Sequence, residues 1–260
     1  MERRCLIIDS SRLEMLSVDG PALAIRAISR SRQLFPFRKL SALNFIGFPK
    51  VGLSALVETA EHGIPVSFFD RKGRLRGQIL HPCYQPGPLR NWLEATPADR
   101  ALMEAYHEWL ENIERHTYAR VGCVAADRKL SAQKAQIQLK TLARKRGCAN
   151  LLEVAPSWLE GILTGLIQSL VAELGLPPTS HRAATLVEDL KPCGVVLGLT
   201  RLIDNALRWG IPSGREVPAY CARRLAPELE EWASRAIYTL AAQLERVAMS
   251  LETPGRRLHK

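Results

Sequence analysis

Residues 45–80, FIGFPKVGLSALVETAEHGIPVSFFDRKGRLRGQIL, read as strand, helix, strand, turn and strand. Leu53, Leu56, Val57 and Ala60 recur at helical spacing and put an apolar stripe on one face of a short helix. Gly63 stands where that helix must stop, because glycine takes up the left-handed conformation of a C-cap without a Cβ penalty. Residues 64–69 then run as a buried strand. The Asp-x-x-Gly sequence at 70–73 turns the chain into a further strand at 74–80.

Upstream, short apolar or alternating runs at 4–8, 13–18, 23–28 and 38–46 predict strands, with turn chemistry at 17–20. Downstream, HPCYQPGPLRNWLEATP (81–97) carries four prolines and a glycine and cannot hold regular structure for long. Helical periodicity then takes over at 98–125 and 130–146. A further helix starts at Pro156 and is stopped by Gly175 and Pro177-Pro178; after a loop, helices follow at 194–209 and 226–251. The broad apolar face of Trp158, Leu159, Ile162, Leu163, Leu166, Ile167, Leu170 and Val171 predicts burial inside a bundle. The fold class expected is α+β. A small β-rich N-terminal domain with one helix (1–80) is joined by a Pro-rich linker (81–97) to an all-α C-terminal bundle (98–260).

Lys and Arg number 36 against 26 Asp and Glu, a net charge of +10, which favours a polyanionic partner. Six cysteines are scattered singly, without zinc-knuckle or redox spacing, and read as reduced thiols of a cytoplasmic protein. Asp9 interrupts the first apolar run too soon for a signal peptide, no run reaches membrane-spanning length, and no membrane partner is expected. Gly-rich phosphate loops and nucleophile elbows are absent from the sequence, which leaves nucleotide-binding and hydrolase readings without residues to carry them.

The densest charge feature is RKLSAQKAQIQLKTLARKR (128–146). Arg128, Lys129, Lys134, Lys140, Arg144, Lys145 and Arg146 give seven positive charges with no acid among them. Leu130, Ile137, Leu139 and Leu142 would form its buried side. A solvated helix face is the plain reading. Without acidic partners, though, such a face repels itself unless an anion docks.

A strand-helix-strand-turn-strand unit, preceded by short strands and followed by a basic helical half, resembles the N-terminal half of the CRISPR-associated spacer integrase family. Members of that family insert captured DNA into CRISPR arrays. DRKLSAQKAQIQL is similar to a family helix directed at DNA. The resemblance implies phosphate contacts from Gln133, Lys134, Lys140 and Arg144, with Arg128, Lys129, Lys145, Arg146, Arg182 and Lys191 as further DNA-binding candidates. LGLPPTSHRAATLVEDLKP (174–192) resembles the family's turn, histidine and acidic segment. The resemblance implies Glu160, His181 and Glu188 as catalytic residues, and those three with Asp189 as ligands of Mg²⁺ or Mn²⁺.

The chemistry suits the residue types. A hard divalent cation would neutralise charge as a DNA 3′-hydroxyl attacks a phosphodiester, carboxylates favour Mg²⁺ or Mn²⁺, and an imidazole biases the set toward Mn²⁺. The same resemblance implies double-stranded DNA, a homodimer or higher homo-oligomer and a small ferredoxin-like subunit as partners. Thr185 stands where the family has a second acid, and Glu160 lies on the helix that runs straight into Gly175-Leu176. Three readings therefore stay open: an active compact integrase and endonuclease, a catalytically degenerate relative that binds DNA or scaffolds a complex, and an unrelated basic helical regulator.

Overall fold

A computed structural model describes residues 3–81, 89, 92, 100–120, 132–209 and 216–252. The segment at 45–80 folds as read. Strand β5 (Leu40–Ile46) leads to α1 (Leu53–Glu61), β6 (Val66–Phe69) and β7 (Leu75–Ile79). Upstream lie β1 (Arg4–Asp9), β2 (Leu13–Asp19), β3 (Ala22–Ala27) and β4 (Gln33–Pro36). A four-stranded sheet runs in the order β1-β5-β6-β7, with β1, β5 and β6 parallel and β7 antiparallel. Strands β2-β3-β4 form a separate antiparallel sheet. Gly63, at φ 72°, closes α1 in the left-handed region, and its N–H bonds to the Ala60 carbonyl at 2.8 Å.

Strand alternation sends each face of the four-stranded sheet to a different core. Ile8, Leu43, Phe45, Val66 and Phe68 meet Leu16, Leu23 and Ile25 of the second sheet and Leu56 of α1. The opposite face, with Ile7, Ile46, Phe69 and Leu75, packs on the helical half. Leu75 reaches that side because a register shift between Phe68 and Phe69 breaks the strict alternation of the β6–β7 pair.

The helical half comprises α2 (Arg100–Arg120), α3 (Ala132–Lys145), α4 (Leu151–Glu173), α5 (His181–Trp209), α6 (Val217–Tyr220) and α7 (Ala226–Glu252). One π-turn, Cys221–Leu225, joins the last two. Helix α4 is apolar and long enough to cross a bilayer by composition, yet it is the centre of the bundle, packed on α5, α7 and β7. Two helix starts differ from the sequence reading. Helix α4 begins at Leu151, not Pro156, whose missing N–H costs a single bond near the helix start. Helix α5 begins at His181, not 194, because Ser180 caps it, its Oγ accepting the Ala183 N–H at 3.2 Å. The expected linker lies mostly outside the described residues. Within it, Leu89 and Trp92 are buried in the helical core.

The two halves meet backbone to backbone. Asp70 Oδ1 accepts the N–H groups of Lys72 (2.8 Å) and Arg74 (3.0 Å) and sets the β6–β7 turn. Gly73 in that turn, at φ 86°, lies against Trp158, and a Cβ there would come within 2.5 Å of the indole. On α4, a Cβ at Gly161 would fall 2.1 Å from the Gly73 carbonyl oxygen. Gln78 Nε2 donates to the Gly165 carbonyl at 3.1 Å and completes the seam.

Beside the seam a cavity of about 30 Å³ is lined by Cys5, Asn44, Ser67, Gln78, Ser169 and Glu230, among others. Burial pushes the Cys5 thiol up to about 12, with Glu230 adding to the shift. Burial also raises the Glu230 carboxyl above its ordinary value, partly offset by Arg3.

Gly161→Ala should lower stability by about 1–3 kcal/mol in urea unfolding, because the added methyl has nowhere to go. Gly165→Ala, whose Cβ would meet the Ser67 hydroxyl at 3.4 Å and Gln78 Nε2 at 3.6 Å, both ordinary contacts, should be close to neutral. For Glu230, the charged form is the disfavoured one in the folded protein. Glu230→Gln should therefore raise the unfolding midpoint at neutral pH. That gain should shrink as pH falls through the raised folded pKa and vanish below the unfolded value of about 4.3.

Candidate nucleic-acid interface

A groove of about 650 Å³ opens where β7, α4 and α5 converge. Arg74 and Arg76 line it from β7 and its turn, Glu160 from α4, and Glu188 and Lys191 from α5. Hydroxyls of Ser157, Thr164 and Thr179 share the lining. Arg74 and Arg76 are exposed, and neither has an ion-pair partner among the described residues. Lys191 Nζ donates to Glu188 Oε1 at 2.6 Å; the lysine side chain is 23% exposed and the glutamate 69%.

Helical geometry separates the residues that the sequence grouped as metal ligands. Glu188 and Asp189 are neighbours in sequence, so about 100° of helix rotation parts them. Glu188 faces the groove. Asp189 turns toward α2 and accepts the Tyr106 hydroxyl. Burial and that carboxylate together push the Tyr106 phenol well above its usual range. Tyr106 itself stacks on Trp92 at 5.1 Å between ring centroids and lies 5.5 Å from Trp109.

His181 is exposed at the first position of α5 and is not part of the groove lining. It stands two turns before Glu188, about 10 Å along the axis. Among the described residues, no group of three or more His, Cys, Asp or Glu side chains comes together to hold an ion. Glu160 and Glu188 share the groove; His181 and Asp189 do not join them. The expected ligands Glu160, His181, Glu188 and Asp189 are thus not gathered into one cluster among the described residues. Arg182, expected at DNA, lies over the Trp92 ring at 5.3 Å and donates to Met103 Sδ at 3.4 Å.

The basic segment forms α3. Its buried stripe is narrow and mostly small: Ala135, Leu139 and Ala143, four residues apart, with Cys148 just beyond. Lys134, Lys140, Arg144 and Lys145 are exposed around the other faces, and Arg146 follows them. Ile137, read as part of the buried side, is 57% exposed because it lies nearly opposite Leu139 on the helix. Arg128, Lys129 and Leu130 lie outside the described residues, as does the side chain of Gln133. The sequence reading missed Arg74 and Arg76. The signal was the acid-free run Arg71-Lys72-Gly73-Arg74-Leu75-Arg76, which alternates like an ordinary solvent-facing strand.

Residues 7–108 match the family model described as CRISPR associated protein Cas1. That match ends before α3, so the candidate residues from 128 onward lie outside it. No curated protein matches by sequence. Solved structures do. A CAS1 protein from Thermotoga maritima aligns with a TM-score of 0.53 at 15% identity, over 96% of each chain. A casposase bound to integration product aligns at 0.54 and 14%, over 98% of this chain and 92% of that one. A chain of a Cas6-RT-Cas1–Cas2 complex aligns at 0.54 and 16%, over 95% of this chain and 36% of that one. At such identities the likeness establishes the fold.

Asp189 is a structural anchor by this geometry. Tyr106→Phe should leave a half-buried carboxylate without its donor and cost about 1–3 kcal/mol in chemical unfolding. Duplex DNA affinity should be unchanged; weakened DNA binding at unchanged stability would return Asp189 to the interface.

Proposed function

We propose, for a chain whose residues 7–108 match the Cas1 family model and whose fold is similar to that of Cas1 structures along its length, a part in CRISPR DNA integration as a subunit that binds duplex DNA. The family supports an integrase or nuclease role in CRISPR systems. The observation that carries the finer reading is the exposed face of α3, where Lys134, Lys140, Arg144 and Lys145 stand without a carboxylate on the same helix. Cations so placed bind backbone phosphates by displacing condensed counterions, which gives affinity that is salt-dependent and largely indifferent to sequence. A second copy of the chain and a small ferredoxin-like subunit are the partners proposed with the DNA. One structural relative is part of a complex that includes Cas2.

Of the three readings that the sequence left open, the degenerate relative fits the site best. Glu188 is engaged by Lys191, Asp189 by Tyr106, and His181 stands apart. One observation favours the active reading: Glu160 and Glu188 face a single groove beside Arg74 and Arg76. Two carboxylates in that position are the minimum of a metal-dependent integrase and endonuclease site that acts by 3′-hydroxyl attack on a phosphodiester.

Duplex binding and plasmid integration, measured in parallel with Mg²⁺ or Mn²⁺, separate the two. Lys140→Ala with Arg144→Ala should weaken duplex binding roughly tenfold and reduce the slope of log K against log salt by about 1.8. The purified chain alone should give no strand transfer, and Glu160→Gln and Glu188→Gln should change nothing in that assay. Metal-dependent strand transfer by the wild-type chain, abolished in both glutamine variants, would establish the active reading.

A further inference from the structure

The side-chain amide of Gln78 is only half satisfied at the seam between the two halves. Its Nε2 donates to Ser67 Oγ, the cross-strand neighbour on β6, and to the Gly165 carbonyl on α4, both at 3.1 Å. A carbonyl oxygen only accepts, so the Gly165 bond fixes which end of the amide is nitrogen. Both N–H groups are then used. Gln78 Oε1 is buried and has no donor among the described residues. A buried amide oxygen in that position is costly and almost always finds a partner.

The cavity of about 30 Å³ beside the seam has the size and the lining to supply one. Gln78 lines it from β7, Ser67 from β6, Ser169 from α4 and Glu230 from α7. About 10–15 Å³ of such space holds a water molecule, which needs two to four polar partners. The cavity therefore has room for a water and none for an organic ligand. Ser67 Oγ accepts from Gln78 and keeps its own proton to donate, and a serine hydroxyl such as that of Ser169 can do both. Cys5 takes no part, since burial pushes its thiol up to about 12 and its Sγ already accepts Asn44 Nδ2 at 3.1 Å. Burial disfavours the charged form of Glu230, so the lining offers little negative charge to a cation.

We propose that this cavity is a binding site for one water molecule, which donates to Gln78 Oε1 and bonds to the Ser169 hydroxyl and the Glu230 carboxyl. The water joins the sheet to α4 and α7 at once. Direct packing of Gly73 on Gly161 sets how closely the two halves approach. The water satisfies the polar groups enclosed behind that contact.

The test combines thermal melting of two variants with a crystal structure of the wild-type chain. Ala42 lines the same cavity from β5, and Ala42→Val adds two methyl groups in a residue type that strands favour. In a dry cavity those methyls fill space and Tm rises. With the water in place they displace it and strand Gln78 Oε1, and Tm should fall by about 2–6 °C. Gln78→Met removes the acceptor, so in that background Ala42→Val should lower Tm by less than about 1 °C. The crystal structure depends on no variant folding. It should show one ordered peak about 2.7–3.2 Å from Gln78 Oε1 and within reach of Ser169 and Glu230. A cavity without density, or Gln78 Oε1 bonded directly to another side chain, would overturn the proposal. So would a rise in Tm for Ala42→Val, or equal losses with Gln78 and with Met at 78, which mark crowding alone. A Tm that differs between Na⁺ and K⁺ at constant ionic strength would replace the water with a bound cation and overturn it too.

Discussion

The contact between the Gly73 carbonyl and Gly161 fixes where everything else can be. It is made by backbone, with no side-chain lever to absorb a shift, and Trp158 closes over it. Because β6 and β7 are paired through Val66–Phe69, fixing the turn fixes the sheet. Because α4 is the central helix, fixing α4 fixes α5 and α7. The far face of the sheet becomes a wall of the helical core, with Phe69 and Ile7 sharing a core with Leu159 and Ile162. The groove is what remains open at the rim of that seam. Its shape therefore inherits the stiffness of two packed backbones, with the turn before β7 and the loop before α5 adding to its ends.

Within the groove, the register of α5 decides which charges meet. One residue of advance along a helix is about 100° of rotation, so consecutive acids cannot face one ligand. Leu186, Val187 and Leu190 are held inward by the core, and that leaves Glu188 outward and Asp189 toward α2. Each acid then finds a partner within reach. Glu188 takes the lysine three residues on, a spacing that helix geometry favours. Asp189 takes Tyr106, whose ring is wedged between Trp92 and Trp109. A metal centre needs carboxylates that are pre-aimed and free of competing cations; this helix supplies one of those conditions at one position.

The strand order within 45–80 was legible because periodicity changes from 3.6 to 2 across a glycine, and because Asp70 and Gly73 supply the turn chemistry. The pairing of β1 parallel to β5 was not, since a buried parallel edge leaves no local mark. Strand β4 was missed for the opposite reason: it is short, ends at Pro36 and carries two exposed and two half-buried side chains. The start of α5 was obscured by Pro192, which reads as a breaker yet sits inside the helix. Reading 181–193 as irregular placed His181, Glu188 and Asp189 on a loop free to converge, and the helix removes that freedom. Arg74 and Arg76 were invisible because strand alternation gives exposed arginines no distinction until the third dimension brings α5 opposite them. Glu160-Gly161 shows the same limit from the other side. Nothing local in the sequence marks this glycine, but in the fold it answers to the close approach of Gly73.

Surplus positive charge is worth little for stability, since a face of like charges is a net repulsion in the free protein. Helix α3 tolerates this because it asks little of its own surface: Ala135 and Ala143 let it sit close to α5, and Leu139 provides most of its burial. A narrow, small-residue contact holds a helix in place while leaving most of its circumference outside. That circumference is where Lys134, Lys140, Arg144 and Lys145 stand. The groove uses the reverse arrangement, with Lys191 half-buried and tethered to one glutamate. A polyanion meeting this surface encounters exposed charges on α3, which suit long-range attraction. In the groove it meets a fixed charge, which suits register. The division follows from how tightly each helix is packed.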